Sequence, residues 1–496
     1  MQLPGDVATN NSRRPGTATL ALLATLTVAV FLPTLRNQFL PFGFDDALIS
    51  DAVEIRELSW ANLTALATES HYAHYVPLTM LSFALDYHFW GLDPVGYHLT
   101  NVLLHTIAVL LLCGFLWRIV PSRRVTVLAA AIFAVHPLQM EAVSVAVQRK
   151  TVLAGVLWFL TLIFYQRWRR TNMHRWYGAC LLAFIAAGLA KPAVVTLPAF
   201  LLLYDYTFGG SVRLRPVLPF FAVALFITGM AVRAHQAVDA LHPLHGGNAL
   251  AHILMVSRVA LEDIDAAVLP ARLSPVYYYP QGAIYEPVNF LALTLILAVC
   301  FYVITYRCHY RWTFFCLSWF VLALLPEANV VPLAQLRADR FLYLALPAFA
   351  LWVALGWERL VQAAVRTRWQ VPARLLAPLA VSGLAITCYQ SAAVWHDDVS
   401  AWSRVVQRHP WCAVAHQMLG RAYCGAGDAV DAERELQLAL RISDQLPDTY
   451  FYLAQLYAER GAPALARTYL QRFLERMPGD PRGVELQAAM IAPNGS

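Results

Sequence analysis

About eleven apolar runs, each long enough or nearly long enough to cross a bilayer, punctuate the chain up to residue 391. They fall near 17–35, 98–117, 125–138, 152–167, 176–190, 193–207, 216–233, 288–306, 312–326, 341–358 and 375–391. No water-soluble globule can bury that much apolar surface, and a lipid-facing segment must satisfy its own backbone polar groups, which leaves helices. The expected class is therefore all-α: a polytopic helical membrane protein. Hydrophobic residues at 59%, charged residues at 14% and a mean hydropathy of +0.51 agree. The first stretch is followed by Arg36-Asn37-Gln38 and not by small residues, so it reads as a retained signal anchor. The eight cysteines show no C-x-x-C spacing and read as packing residues.

Charge sorts the turns between these runs. With Arg13 and Arg14 placed in the cytoplasm, Arg118, Arg123, Arg124, Arg167, Arg169, Arg170, Arg213, Arg215, Arg307, Arg311 and the arginines from 359 to 374 fall on the same side. The alternate turns hold most of the acids: Asp45, Asp46, Asp86, Glu141, Glu262, Asp263, Glu286, Glu327 and Asp339 among them. A net charge of +6 therefore reflects sidedness, and no nucleic-acid partner is expected. The arrangement puts residues 36–97, residues 234–287 and everything after 391 outside, facing a periplasm or, in a eukaryote, the lumen of the endoplasmic reticulum. Within the first outer loop, Pro77 to Trp90 reads as an amphipathic helix along the interface. In the second, the Tyr277-Tyr278-Tyr279-Pro280 cluster suits an aromatic belt.

Beyond residue 391 the composition becomes soluble and a 34-residue period appears. Leu419, Tyr423, Gly427 and Ala432 recur as Leu453, Tyr457, Gly461 and Ala466, the spacing of tetratricopeptide repeats. Two clear copies are fewer than such stacks need, so His396 to Pro410 is a candidate partial copy. The domains expected are a tail over 1–16, a membrane domain over 17–391, a repeat module over 392–486 and a tail over 487–496.

The chemistry-bearing residues cluster on the acidic side. Phe44-Asp45-Asp46 follows the first apolar run. Two adjacent carboxylates can be solvated loop residues, can hold a divalent cation through oxygen, or can raise each other's proton affinity and supply a general base. Arg149, Lys150, Lys191, Arg337 and Arg340 are cations beside spans, against the positive-inside tendency. Ion pairs account for any one of them, and a lipid phosphate accounts for the set. His136 and Glu141 are expected to hydrogen-bond and fix a loop, and Asp339 to orient Arg340. No metal site is evident. His98, Asn101 and His105 share a helical face and read as polar glue between helices.

Five segments in order carry a family resemblance: Phe44-Asp45-Asp46, YVPLTMLSFALDYHFWGLDPVGYHLTNVLLH (75–105), FAVHPLQMEAVSVAVQRK (133–150), GLAKPAVVTLPAFLLLYD (188–205) and NVVPLAQLRADRFLYLALP (329–347). Together they resemble the bacterial relatives of the transmembrane tetratricopeptide-repeat O-mannosyltransferases, of the GT-C glycosyltransferase superfamily. The resemblance implies transfer of a hexose from a polyprenyl-phosphate donor to a Ser/Thr hydroxyl of an extracytoplasmic protein. Asp45 would act as base beside Asp46, with an acceptor protein engaged by the repeats. Family members often carry Glu-Arg-Lys where this chain has Gln148-Arg149-Lys150, so a carboxylate role at 148 is absent here. Transfer to a glycan or lipid, or a non-enzymatic lipid-linked-sugar transporter or assembly scaffold, are the alternatives. Related halves and midplane charges, which a transporter would show, are not evident.

Overall fold

In the computed structural model the apolar runs become helices where the hydropathy places them. Residues 15–70, 75–236, 243–280, 282, 284–329, 332 and 335–491 are described. Arg13 and Arg14, and residues 330, 331, 333 and 334 of the fifth motif, lie outside them. Among the described residues the secondary structure is helical, with no strand. Two compact units result: residues 1–39, 46–273 and 279–393 form one, and residues 40–45, 274–278 and 394–496 the other.

The first unit is built from α1 (Thr17–Phe31), α2 (Trp60–Thr68), α3 (Pro77–Trp90), α4 (Pro94–Leu116), α5 (Arg123–Val135), α6 (Arg149–Thr171) and α7 (His174–Ala190). It continues through α8 (Leu197–Phe208), α9 (Leu214–Gln236), α10 (Ala249–Val268), α11 (Pro287–Thr305), α12 (Arg311–Leu324), α13 (Leu346–Ala363) and α14 (Gln370–Ser391). Each of the eleven apolar runs lies on a helix, yet only six described spans are long and apolar enough to cross a membrane; a bent pair over Arg123–Ser144 makes seven. The shortness of the other apolar helices has a local reason. Pro137 bends one run by 52°, Pro192 ends α7 after 17 residues, and α8 and α12 have 12 and 14. A helix rising 1.5 Å per residue needs about 20 residues to span the hydrocarbon.

Helix starts follow capping chemistry. Asp93 accepts the Val95 N–H ahead of Pro94 at the first turn of α4, Ser122 accepts from Val125 at α5, and Asn248 accepts from Ala251 at α10. The core of the unit lies where α4 and α6 meet, with Tyr97, Phe115, Phe133, Trp158 and Tyr343 fully enclosed. Gly155 on α6 allows close approach, since a Cβ there would sit 2.5 Å from the Tyr343 ring. Helix α3 has the two faces its sequence implies. Met80, Phe83 and Asp86 turn inward, while Leu85 and Phe89 are exposed. The tyrosine cluster differs from an aromatic belt: the Tyr279 hydroxyl donates to Glu262 at 2.7 Å and Tyr277 accepts the Ser274 N–H at 3.1 Å.

The second unit contains α15 (Asp398–Arg408), α16 (Ala413–Ala426), α17 (Ala429–Ile442), α18 (Pro447–Glu459), α19 (Pro463–Arg476) and α20 (Pro481–Ile491). The pairs α16/α17 and α18/α19 are the two repeats, joined at Gly427 and Gly461 with φ of 79° and 70°. Equivalent positions build one core, with Ala432, Leu436, Leu453, Tyr457 and Ala466 buried together. Helix α15 packs on α16 as the second half of a preceding repeat, burying Ala401, Trp402 and Val405. Helix α20 covers the other end, so residues 487–491 continue a helix instead of forming a tail. The unit also takes in two short segments from the outer loops, 40–45 and 274–278, which the period could not reveal.

A buried pair links the first repeat's helices. His416 Nδ1 lies 2.7 Å from Glu435 Oε2 and Nε2 lies 3.1 Å from the Pro410 carbonyl. Both ring nitrogens thus face acceptors, which favours the imidazolium. The Glu435 carboxylate holds the His416 pKa above its ordinary value, and His416 holds that of Glu435 below. The histidine's contribution is complete below its unfolded value near 6.5 and is lost as pH rises through the elevated folded one. The carboxylate's contribution is present above its unfolded value near 4.3 and is lost as pH falls through the depressed one.

Two outcomes follow for stability. Gly427→Ala and Gly461→Ala should each cost about 1–2 kcal/mol through the left-handed backbone alone, since open space surrounds both. Unfolding of the full chain, followed by exchange of α16–α19 amides, measures this, and an unchanged free energy would contradict it. In the same measurement the repeat helices should lose protection as pH climbs above about 6.5, and His416→Gln should flatten that dependence.

Candidate functional site

The five cations singled out by position are each drawn into the protein by different partners. Arg149, at the start of α6, is fully buried. Its guanidinium pairs with Asp86 of α3 at 2.5 Å, donates through Nε to Asn101 Oδ1 at 3.0 Å, and donates to the Ser82 and Tyr97 carbonyls at 3.2 and 2.9 Å. The rings of Phe83 and Tyr97 lie against it at 4.8 and 5.5 Å. Arg149 is thus committed to joining α3, α4 and α6, and no face of it is open to a phosphate in this arrangement. Asn101 completes the joint by donating to the Val145 carbonyl at 3.2 Å. Lys150 is buried beside it.

Lys191 follows the last turn of α7. Its ammonium pairs with Glu327 at 2.6 Å and donates to Thr151 Oγ1 at 3.2 Å, leaving 14% of the side chain exposed. Arg337 pairs through Nε with Asp263 at 2.8 Å and through a terminal nitrogen with Glu262 at 3.3 Å. Burial pushes the Asp263 carboxyl up to about 6 against the downward pull of Arg337. Asp263 and Glu327, the partners of two different cations, line one cavity of about 20 Å³ with Leu336 and Phe341, room for about one water. The fold therefore brings one carboxylate partner of Lys191 and one of Arg337 to the same small, mostly apolar cavity.

Arg340 is held by Glu141. The Arg340 amide donates to Glu141 Oε2 at 2.9 Å, its guanidinium pairs with the other carboxylate oxygen, and it also donates to Gln335 Oε1 at 2.5 Å. The expected His136–Glu141 hydrogen bond is absent. His136 instead faces the Ala267 carbonyl at 3.0 Å and accepts the Leu138 N–H at 3.2 Å, because Pro137 turns the chain immediately after it. Glu141 supports Arg340, while His136 ties this corner to the end of α10. Asp339 is buried in the turn that carries Arg340. His105, on the polar face of α4, bonds Tyr343 Oη at 2.9 Å, consistent with glue between helices.

The acidic pair divides. Asp46 belongs to the first unit, is fully buried and accepts the Val147 N–H at 2.7 Å, two residues before Arg149. Asp45 belongs to the second unit, is exposed, and sits at φ 67° in the left-handed region. Aspartate tolerates that conformation better than most residues, but it is strained for a non-glycine. One carboxylate thus has a structural hydrogen bond and its neighbour projects to solvent. Among the described residues no cluster of three or more His, Cys, Asp or Glu side chains could hold a metal ion.

Sequence reasoning missed Asp86, Glu262, Asp263 and Glu327 as the counter-charges of the cations. Asp86 had a signal, an acid inside an otherwise apolar helix, which is costly unless paired.

Comparison with known proteins now bears on this arrangement. The chain is 33% identical over 191 residues to protein O-mannosyl-transferase Tmtc1 of Drosophila melanogaster, covering 36% of this chain and 22% of that protein. It is 33% identical over 198 residues to tmtc2 of Xenopus laevis (37% and 23%) and 25% identical over 465 residues to Tmtc3 of Drosophila melanogaster (76% and 49%). By sequence the chain is a relative of these O-mannosyl-transferases. It spans between about a fifth and a half of the length of these relatives. No family model matches it. Among solved structures, ArnT from Cupriavidus metallidurans, crystallised with undecaprenyl phosphate, aligns over 96% of this chain and 78% of its own at 13% identity, with a TM-score of 0.39, below what establishes a common fold. The apolar helices identify an integral membrane protein, and the second unit is a helical repeat.

The Arg149 joint is testable by itself. Arg149→Met should cost about 3–5 kcal/mol because it leaves Asp86 unpaired in the interior, and the double variant Arg149→Met/Asp86→Leu should recover most of that loss. Thermal unfolding of the full chain in detergent reads both, and a double variant no better than the single one would refute the pairing account.

Proposed function

We propose that this relative is a membrane glycosyltransferase that moves a hexose, mannose in the first instance, from a polyprenyl-phosphate donor to a Ser/Thr hydroxyl of a protein outside the cytoplasm. The observation that carries the reading is the split acidic pair in a chain whose relatives are O-mannosyl-transferases: an exposed Asp45 next to an Asp46 buried on the Val147 amide. Asp45 takes the proton of the acceptor hydroxyl. The oxygen forms its bond to the anomeric carbon as the bond from that carbon to the phosphate oxygen breaks, and the phosphate leaves with the electron pair. A single displacement inverts the anomeric centre.

Negative charge gathers on the departing phosphate, so preorganised cations are the natural stabilisers. Lys191, Arg337 and Arg340 retain some exposed side-chain surface and are the residues proposed for this task. Each is held by carboxylates, which fixes its position and exacts a cost: a phosphate must exchange for, or share with, the acid already there. Arg149 serves by holding α3 and α4 to the start of α6. The active side and the repeats face away from the cytoplasm, in a bacterial inner membrane or its eukaryotic counterpart, where a lipid-linked donor is the available form of activated sugar.

Asp45→Asn should lower transfer from polyprenyl-phosphate mannose to a Ser/Thr peptide by about 10²–10⁴-fold, the range for loss of a general base, while membrane insertion and thermal stability stay unchanged. Product is counted by mass spectrometry of the peptide. Transfer within twofold of the parent would remove Asp45 as the base.

A further inference from the structure

The segment that carries Asp45 is packed into the repeat unit. Phe42 gives its carbonyl to the indole N–H of Trp402 at 2.8 Å. Its ring lies under the Arg421 guanidinium at 4.4 Å, and the same guanidinium covers Tyr452 of the second repeat at 5.3 Å. Phe44 is buried between Trp395 and Trp402, with ring centroids 5.6 and 5.3 Å away. Two glycines make room for this seating. At Gly43, with φ 86°, a Cβ would fall 2.8 Å from the Trp402 ring, and at Gly425 on α16 a Cβ would fall 2.8 Å from the Phe42 ring. Every residue from Phe42 to Phe44 is therefore fixed by side chains of α15, α16 or the turn before α15, and Asp45 is the next residue along.

We propose that the repeat unit is part of the transfer machinery, with Trp402 and Arg421 acting as positioning residues that hold the Phe42–Phe44 turn and so the Asp45 carboxylate. This rests on the reading of Asp45 as base. A recognition module would alter only how the acceptor binds. Here the same helices also set where the base stands, and a displacement of about 1 Å at a reacting group can cost about a hundredfold in rate. The strained backbone at Asp45 makes the support more necessary, because a left-handed aspartate persists only where its surroundings impose it.

Two variants of the full chain in detergent separate this from a general loss of structure. Trp402→Ala removes the indole from Phe42, Gly43 and Phe44. Gly425→Ala is gentler: alanine favours an α-helix over glycine, so the repeat unit should keep its stability while the new methyl displaces the Phe42 ring. Amide exchange over residues 40–47 should accelerate about tenfold or more in both. The kcat for transfer from polyprenyl-phosphate mannose to a Ser/Thr peptide should fall about tenfold or more, with the peptide KM within about twofold. Trp402→Phe, which keeps a ring but loses the N–H, should lie between. Trp411→Ala, on a side chain outside this packing, serves as the control and should change neither. Unaltered exchange over 40–47 in both Trp402→Ala and Gly425→Ala would overturn the proposal, as would a raised peptide KM with kcat intact. If Asp45→Asn keeps its activity, the base assignment fails separately, and the exchange data still decide whether the repeats hold the turn.

Discussion

The guanidinium of Arg149 is the joint on which the membrane unit depends. Removing an arginine from water costs several kcal/mol, and only a full set of partners makes the burial sustainable. Asp86 supplies the counter-charge, Asn101 and two carbonyls take the remaining hydrogen bonds, and two aromatic rings close the sides. Two consecutive helices, α3 and α4, are thereby held to the start of α6. Two residues earlier, the Val147 amide is committed to Asp46. The acidic motif and the basic motif that stand out along the chain are thus connected through a backbone amide.

The same principle governs the other cations. Lys191 with Glu327, Arg337 with Asp263 and Glu262, and Arg340 with Glu141 form a set of paired charges on the acidic side of the unit. Pairing keeps each cation fixed in a weakly polar setting, where an unpaired charge would be too costly to hold. It also means that a ligand phosphate would compete with a resident carboxylate, which makes binding depend on a difference between two anions. Burial raises the proton affinity of Asp263 against the opposing pull of Arg337.

Much of this was legible along the chain. Apolar runs announced eleven helices of the membrane unit, because burying or embedding such surface leaves no alternative to hydrogen-bonded helices, whereas α2 and α10 lie in stretches whose sequence reads only as outer loop. The 34-residue period announced α16 to α19, since Gly427 and Gly461 mark equivalent left-handed turns and Ala432 and Ala466 equivalent close packings. Pro137 and Pro192 interrupt the apolar stretches, so several of the apolar helices are shorter than a full span. His136 was matched to the wrong partner because a proline turn redirects the chain next to it, a local event with a non-local result.

Sequence alone determined the class of the protein, the positions of its apolar helices and its repeats, since these follow from local periodicity, hydropathy and side-chain type. Tertiary structure decided which charge answers which, that Asp46 is an anchor while Asp45 is exposed, and that residues 40–45 belong with the repeat unit. Those outcomes depend on contacts between residues tens to hundreds of positions apart. Trp402 and the Phe42 carbonyl, 360 residues from each other, are one such pair. No local pattern encodes a partner at that distance, because a hydrogen bond is set by three-dimensional proximity and by the desolvation that makes leaving it unmade expensive.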